Sequence, residues 1–330
     1  MKFLIVGLGS IGRRHLRNLL ALGERDIVLC RTHRATLPDD ELAGFPVETD
    51  LQTALGLDLD AVIITNPTSL HLDAAIPAAK AGCHILMEKP VSHSLDRLDE
   101  LEAALQSGGG QMLVGFQFRF HPTLQKTAQL LKESAIGRAL SFRVQYDEYL
   151  PNCHPWEDYR QGYAARSELG GGVILTFSHP LDYLHWIFGD VDALWAITRR
   201  LSELELSVED TAEIGLSFTS EAIGSLHLGY NQQPPAHWLE VVGTQGTLRW
   251  DNTDGLLRVY RAEKGSWEEF HPPAGFERNT MYLDEMRHFL AVVRGEDQPV
   301  CSLNDGRMVQ ALVMAAYSSS RQGVLVRLRK

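Results

Sequence analysis

The sequence predicts an α/β protein: a doubly wound parallel sheet first, then an α+β domain with a large, mainly antiparallel open sheet. Three observations predict it. An apolar run, Phe3 to Val6, enters Gly7-Leu8-Gly9-Ser10-Ile11-Gly12 and then a helix with Ile11, Leu16, Leu19 and Leu20 near one face. As far as Phe116, short apolar strands alternate with helical stretches over short connections, the pattern of parallel βαβ units. Beyond residue 190, segment after segment alternates apolar and polar residues, the mark of strands with one buried face.

Bulk properties narrow the function. A length of 330 residues suggests two domains. A net charge of −11 argues against a general nucleic-acid binder, which needs a basic face for phosphates. Four scattered cysteines without a C-x-x-C pair make a disulfide scaffold or zinc knuckle a poor fit, and the histidines lack metal-ligand spacing, so no metal is expected. The apolar start is broken by Gly7, Gly9 and Gly12 and followed by Arg13-Arg14, unlike a signal peptide, and no apolar run is long enough for a bilayer. The expected setting is the cytoplasm, with no membrane or nucleic-acid partner.

The glycine stretch is the dinucleotide fingerprint in its proper context. Gly7 permits the tight turn, Gly9 the close approach of backbone to a pyrophosphate, and Gly12 the packing of helix on strand. Ser10 and Ile11 open the helix, whose free N–H groups and dipole favour an anion. Asp26 to Cys30 is the second strand. An acidic residue about 20 positions past the glycines usually holds the ribose hydroxyls, but Arg31, Thr32 and Arg34 stand there. A guanidinium suits a 2′-phosphate, so NADP(H) is favoured over NAD(H), with solvated loop charges as the plainer reading.

A strand over 60–65 ends in Thr65-Asn66-Pro67, and a helix carrying His71 and Ala74 to Ala79 follows, with a kink or early break expected at Pro77. The strand 84–87 delivers Glu88-Lys89-Pro90, a helix capped by Ser94 spans 96–105, and a last strand, 112–116, leads to Gln117. Thr65-Asn66, Glu88-Lys89 and Gln117 thus sit at carboxyl ends of strands, where such sheets bind ligands. A lysine there, its pKa lowered by burial or by a positive nicotinamide ring, can take a hydroxyl proton as hydride leaves.

With these residues in view the chain resembles the Gfo/Idh/MocA family, named for glucose–fructose oxidoreductase and inositol dehydrogenase. The matching pieces are Gly7 to Gly12, Thr65-Asn66-Pro67 with His71, Glu88-Lys89-Pro90, Gly115-Phe116-Gln117 through Phe120-His121-Pro122, the glycines at 170–172 with His179 and Asp182, and Gly243-Thr244-Gln245-Gly246. The resemblance implies a nicotinamide-dependent oxidoreductase acting on a sugar, polyol or nucleotide sugar. It makes Lys89 the catalytic lysine and His179 the substrate-side acid/base, and it implies a homo-oligomer formed through the open sheet face. Where many members carry an aspartate shortly before that histidine, Thr176 stands. The stretches Pro155-Trp156-Glu157-Asp158-Tyr159-Arg160 and Thr176 to His179 resemble members tied to surface-polysaccharide or acidic-sugar biosynthesis.

In the second half a helix is expected over 122–134 and a strand over 139–149. The polar, aromatic stretch 151–166 reads as a functional loop. A single helix from the 170–172 glycines to Gly189 places Thr176, His179, Tyr183 and Trp186 on one face, with Pro180 kinking it or marking a first turn. Strands then run to residue 270, with a hairpin at 243–246, followed by helices over 281–294 and 305–322 and a strand over 324–328. The expected domains are 1–118 and 119–330. Arg119, Tyr163, Arg166, Thr176 and Asp182 are the candidate substrate contacts, because Arg forks an anion and aromatic faces cover a sugar's C–H surface. Two further readings share the motifs: a redox-neutral sugar enzyme with a resident cofactor, and a non-catalytic NADP(H)- or sugar-binding sensor.

Overall fold

A computed structural model describes residues 1–32 and 37–328. The chain divides into two compact units.

The first unit is built on a six-stranded sheet: β1 (Lys2–Val6), β2 (Asp26–Cys30), β3 (Val47–Glu48), β4 (Ala61–Ile64), β5 (His84–Glu88) and β6 (Met112–Gly115), in the order β3-β2-β1-β4-β5-β6. Every pairing is parallel. The helices are α1 (Ser10–Ala21), the short α2 (Leu51–Leu55), α3 (His71–Lys80) and α4 (Leu98–Gly108). Phe3, Leu4, Ile5, Val62 and Ile63 are fully buried, as continuous apolar strands of a sheet covered on both faces must be. The strand order reverses between β1 and β4, the switch point at which doubly wound folds bind ligands.

Three local expectations need correction, and one unassigned stretch takes shape. Helix α3 runs through Pro77 to Lys80, because the burial of Leu72, Ala75, Ile76 and Ala79 outweighs one lost backbone bond. Ser94 makes a local turn, its Oγ accepting from the Asp96 N–H at 3.2 Å, and α4 starts only at Leu98. Arg13, which is not among the residues of the expected apolar face of α1, is buried: its guanidinium donates to the carbonyls of Leu8, Leu37 and Pro38 and so anchors the loop after β2. The segment β3–α2, unassigned from sequence, is a helix capped by Asp50, which accepts from the Thr53 N–H at 2.8 Å.

The second unit holds a nine-stranded sheet. Its strands are β7 (Ala139–Asp147), β8 (Val191–Arg199), β9 (Thr211–Phe218), β10 (Ile223–Gly229), β11 (Ala236–Gly243), β12 (Gly246–Asp251), β13 (Leu257–Arg261), β14 (Ser266–Phe270) and β15 (Val326–Arg327). The order is β14-β13-β12-β11-β7-β10-β9-β8-β15. The hairpin pairs Gly243 with Gly246 as expected. The meander is not continuous, however: β7 inserts between β10 and β11 and runs parallel to β10, while all other pairs are antiparallel. One face buries Phe142, Val144, Leu226, Leu239, Leu248 and Trp250. The other leaves Trp195 at 44 %, Ile197 at 51 % and Ile223 at 57 % exposure.

The expected helix from 170 to 189 is two: α7 (Val173–Thr176) and α8 (His179–Phe188), with α5 (Pro122–Lys132) and α6 (Leu150–Cys153) preceding them. Ser178 stands at the N-cap of α8 and Pro180 in its first turn, where the missing N–H costs nothing. Thr176 therefore does not share a helical face with His179. The stretch after α6 is a chain of short 3₁₀ turns, Tyr159–Gln161, Tyr163–Ala165 and Ser167–Leu169.

The chain leaves the first unit after Gln117 and later returns to it. Glu168–Gly170 and Arg278–Gln310 cluster with the first unit. The second return brings α9 (Arg278–Val293) against α1 and the first turns of α10 (Leu303–Gln322). Single-cut reasoning misses such a return because an amphipathic helix does not declare which core its apolar stripe will cover.

Candidate functional site

In the first unit the site grows from the glycine turn. A Cβ on Gly12 would stand 2.1 Å from the Gly7 carbonyl oxygen, and one on Gly7, at φ +95°, 2.6 Å from the Asn66 backbone nitrogen; neither position has room for a side chain. A Cβ on Gly9 would meet nothing within 4 Å. Gly9 is also the N-cap of α1, without a side-chain hydrogen bond and with no acidic residue in the first turn. The turn therefore presents uncapped N–H groups, at Ser10 and Ile11 among others, to open space, which fits a pyrophosphate.

Thr65 ties β4 to this turn, its Oγ1 donating to the Gly7 carbonyl at 2.6 Å and lying 3.0 Å from that of Val6. The Asn66 amide donates to the Leu70 carbonyl at 3.1 Å, leaving its buried Oδ1 without a hydrogen-bond partner, an acceptor suited to a carboxamide N–H. His71 lies between the ends of β4 and β5: Nδ1 is 2.8 Å from the Pro90 carbonyl and Nε2 3.0 Å from that of Asn66, and a neutral ring donates its one N–H to one of the two. Burial pushes its pKa down to about 4.

At the end of β5, Glu88 accepts from His15 Nε2 at 2.8 Å and from the Lys89 N–H at 3.3 Å. Burial raises the Glu88 carboxyl, but the His15 hydrogen bond, with Lys89 and His71 nearby, outweighs burial and keeps it below the usual range. Burial pushes the Lys89 amine down to about 8, with Glu88 opposing and Arg278 assisting. A lysine there exchanges protons near physiological pH. Gln117, nearly buried, follows β6.

Arg31 is buried at the end of β2, with Nη1 2.7 Å from Asp39 Oδ1, while the neighbouring Thr32 is exposed. Arg34 lies outside the described residues.

Two residues of this site were missed from sequence. His15 and Glu285 come with Glu88 into a group whose ligand-type atoms lie within 4.8 Å of one another, an arrangement invisible to spacing because α1, β5 and α9 supply one residue each. A signal for Glu285 existed: it is an acidic residue within the apolar stripe Met281, Tyr282, Met286, Phe289.

In the second unit, Arg119 and Asp182 are both buried and paired, Arg119 Nη2 lying 2.7 Å from Asp182 Oδ1. His179, also buried, meets the edge of Phe118 at 4.9 Å between ring centres. Phe118 in turn packs edge-on against His237 at 4.8 Å, and His237 stacks flat on Tyr146 at 4.0 Å. His237 went unnoticed in the sequence, although a histidine at an inward position of β11, in line with Leu239 and Val241, marks it. Tyr163 and Arg166 flank the turn Tyr163–Ala165, both partly exposed, and the Arg166 N–H donates to the Tyr163 carbonyl at 3.1 Å. Thr176 stands by the Tyr230 hydroxyl, and no acidic side chain occurs from 173 to 178.

A doubly wound sheet with a glycine cradle at its switch point, a lysine of lowered pKa at a neighbouring strand end and a second unit on an open antiparallel sheet together define the class of nicotinamide-binding oxidoreductases. Residues 1–116 match the oxidoreductase family with NAD-binding Rossmann fold, and residues 124–249 match the GFO/IDH/MocA C-terminal domain. The chain belongs to the Gfo/Idh/MocA family of oxidoreductases. It is 28 % identical to an uncharacterized oxidoreductase, YrbE, of Bacillus subtilis, over 98 % of this chain and 95 % of that one. It is 26 % identical to a myo-inositol 2-dehydrogenase of Thermotoga maritima, over 100 % and 99 %. A levoglucosan dehydrogenase solved with NADH and levoglucosan has the same fold, with a TM-score of 0.87 and 22 % identity over the whole of both chains.

Proposed function

We propose that the protein transfers a hydride between a nicotinamide and a carbinol carbon of a sugar, polyol, or acidic or nucleotide sugar. The observation that carries this reading is Lys89: a strand-end lysine beside a carboxylate, with its amine pushed down to about 8, at the edge where the glycine cradle lies. The bound nicotinamide supplies the hydride acceptor or donor. Gly9, Ser10, Ile11 and Gly12 hold the pyrophosphate through backbone N–H groups at the turn that Gly7 permits, and Asn66 offers its Oδ1 to the carboxamide side. Lys89 removes the hydroxyl proton in oxidation and returns it in reduction. His179 serves as the substrate-side acid/base, and Tyr163 and Arg166 meet the sugar and its acidic group. The names of relatives, inositol and other sugar dehydrogenases among them, support this substrate class.

NADP(H) is the preferred cofactor in this reading, with Arg31 meeting the 2′-phosphate. Its present partner, Asp39, is 57 % exposed at the side chain and can yield the guanidinium to a stronger anion. Fluorescence titration with NADPH and NADH tests this. Arg31→Ala should weaken NADPH about tenfold or more and NADH little, and tighter binding of NADH by the native protein overturns the preference. The same titration repeated with a panel of acidic and nucleotide sugars tests the substrate class; absence of any nicotinamide binding removes the whole reading. The exposed Trp195, Ile197 and Ile223 on the open sheet face support a homo-oligomer, which light scattering in solution checks.

The missing carboxylate between 173 and 178 favours one second reading, a redox-neutral reaction with a resident cofactor. Turnover without change in NADPH absorbance would support it.

A further inference from the structure

We propose that Glu285 is a positioning residue for the Lys89 end of β5: its carboxyl keeps its proton and directs it toward Glu88, so that Glu88 is the single carboxylate of this buried pair behind the lysine. The proposal rests on the reading of Lys89 as the proton carrier.

The geometry is specific. Glu285 is completely buried, and neither carboxyl oxygen has a hydrogen-bond partner. One of its oxygens lies within 4.8 Å of both the Glu88 and His15 atoms. Glu88 already has donors, from His15 Nε2 and the Lys89 N–H, that hold it as a carboxylate. Glu285 has none, so a second buried negative charge there would face the first without a hydrogen-bond donor of its own. The other charged and titratable groups around the cluster are accounted for. Arg278 acts on Lys89 and on Tyr282, Arg14 lies 4.5 Å over the Tyr282 ring, and His71 and Lys89 act on Glu88. Burial and the Glu88 charge push the Glu285 carboxyl well above the usual range. A proton on Glu285 leaves the Glu88 charge as the counter-charge to Lys89; an ionised Glu285 would add a second and favour the ammonium form, taking the amine out of use near neutrality.

The test uses the full chain and needs no substrate. The infrared spectrum of the native protein at pH 7 should show the C=O stretch of a buried protonated carboxyl. That band should vanish in Glu285→Gln and persist in Lys89→Met. Thermal unfolding adds a second reading. A carboxyl protonated in the folded state and ionised in the unfolded one makes stability fall as pH rises above the carboxylate range, and glutamine removes that fall. The melting temperature of E285Q relative to native protein should therefore rise steadily from pH 5 to pH 8. The pH midpoint of Lys89 acylation, read by mass spectrometry, should stay near 8 in E285Q and move in Glu285→Ala. Absence of the acid band, a flat melting difference, an unmoved midpoint in E285A, or one equivalent of bound divalent metal would each overturn the proposal. If Lys89→Met keeps full turnover, the lysine reading fails while the band still reports on Glu285.

Discussion

Arg119 holds Asp182 with two nitrogens: Nε lies 3.1 and 3.0 Å from the two carboxylate oxygens, and Nη2 lies 2.7 Å from Oδ1. Both side chains are buried in this pair. Removing one partner strands a buried charge. Asp182→Asn should lower unfolding stability by about 3–5 kcal/mol, and the double change Arg119→Met with Asp182→Leu should recover most of that loss. Urea unfolding of these two variants against the native protein decides it; a double variant no more stable than Asp182→Asn would show that the pair is not a closed unit.

Gly9 and Gly12 separate binding from folding. A Cβ at Gly12 would press on the Gly7 carbonyl at 2.1 Å, whereas one at Gly9 would enter open space. Gly12→Ala should therefore destabilise the first unit, by about 1–3 kcal/mol. Gly9→Ala should fold normally and lose nicotinamide affinity. Melting temperature and cofactor titration, measured on the same two variants, should move in opposite ways.

Lys89 sets a pH dependence with a definite sign. The amine accepts a proton only when neutral, and its pKa is pushed down to about 8. Oxidation should accelerate as pH rises through about 8 and then level, while reduction should slow over the same interval. Lys89→Met should cost about 10²–10⁴ in turnover and leave cofactor affinity nearly intact. A native rate that does not change between pH 7 and 9 would remove the lysine from the proton path.

His227 predicts a separate pH effect on stability. Its hydrogen bond to Asp147, at 3.1 Å, together with Glu213, outweighs partial burial and raises it to about 9. The unfolded imidazole titrates near 6.5. A raised histidine contributes stability that is complete below 6.5 and lost as pH climbs through 9. His227→Gln should flatten that loss, worth on the order of 1–3 kcal/mol before solvent screening. Melting curves between pH 6 and 10 read it directly.

The parallel sheet, the glycine turn and the strand-end positions of Thr65, Asn66, Glu88 and Lys89 are legible in the order of amino acids alone. The reason is local: a buried parallel strand must be apolar throughout, a pyrophosphate turn must lack side chains, and a strand ends where its apolar run meets polar residues and proline. The hairpin at 243–246 was legible in the same way. Long-range packing set the rest. It broke the helix at Thr176, because the first-turn preference of Pro180 and the capping position of Ser178 prevail over a regular spacing of polar residues. It buried Arg13 as a loop anchor, since the carbonyls of Leu37 and Pro38 come from a distant part of the chain. It placed β7 beside β10 rather than in a simple meander, and it returned α9 to the first unit, bringing Glu285 to His15 and Glu88. Each of these contacts joins residues far apart in sequence, and hydrophobic period and motif spacing carry no information about which distant surface a buried face will meet.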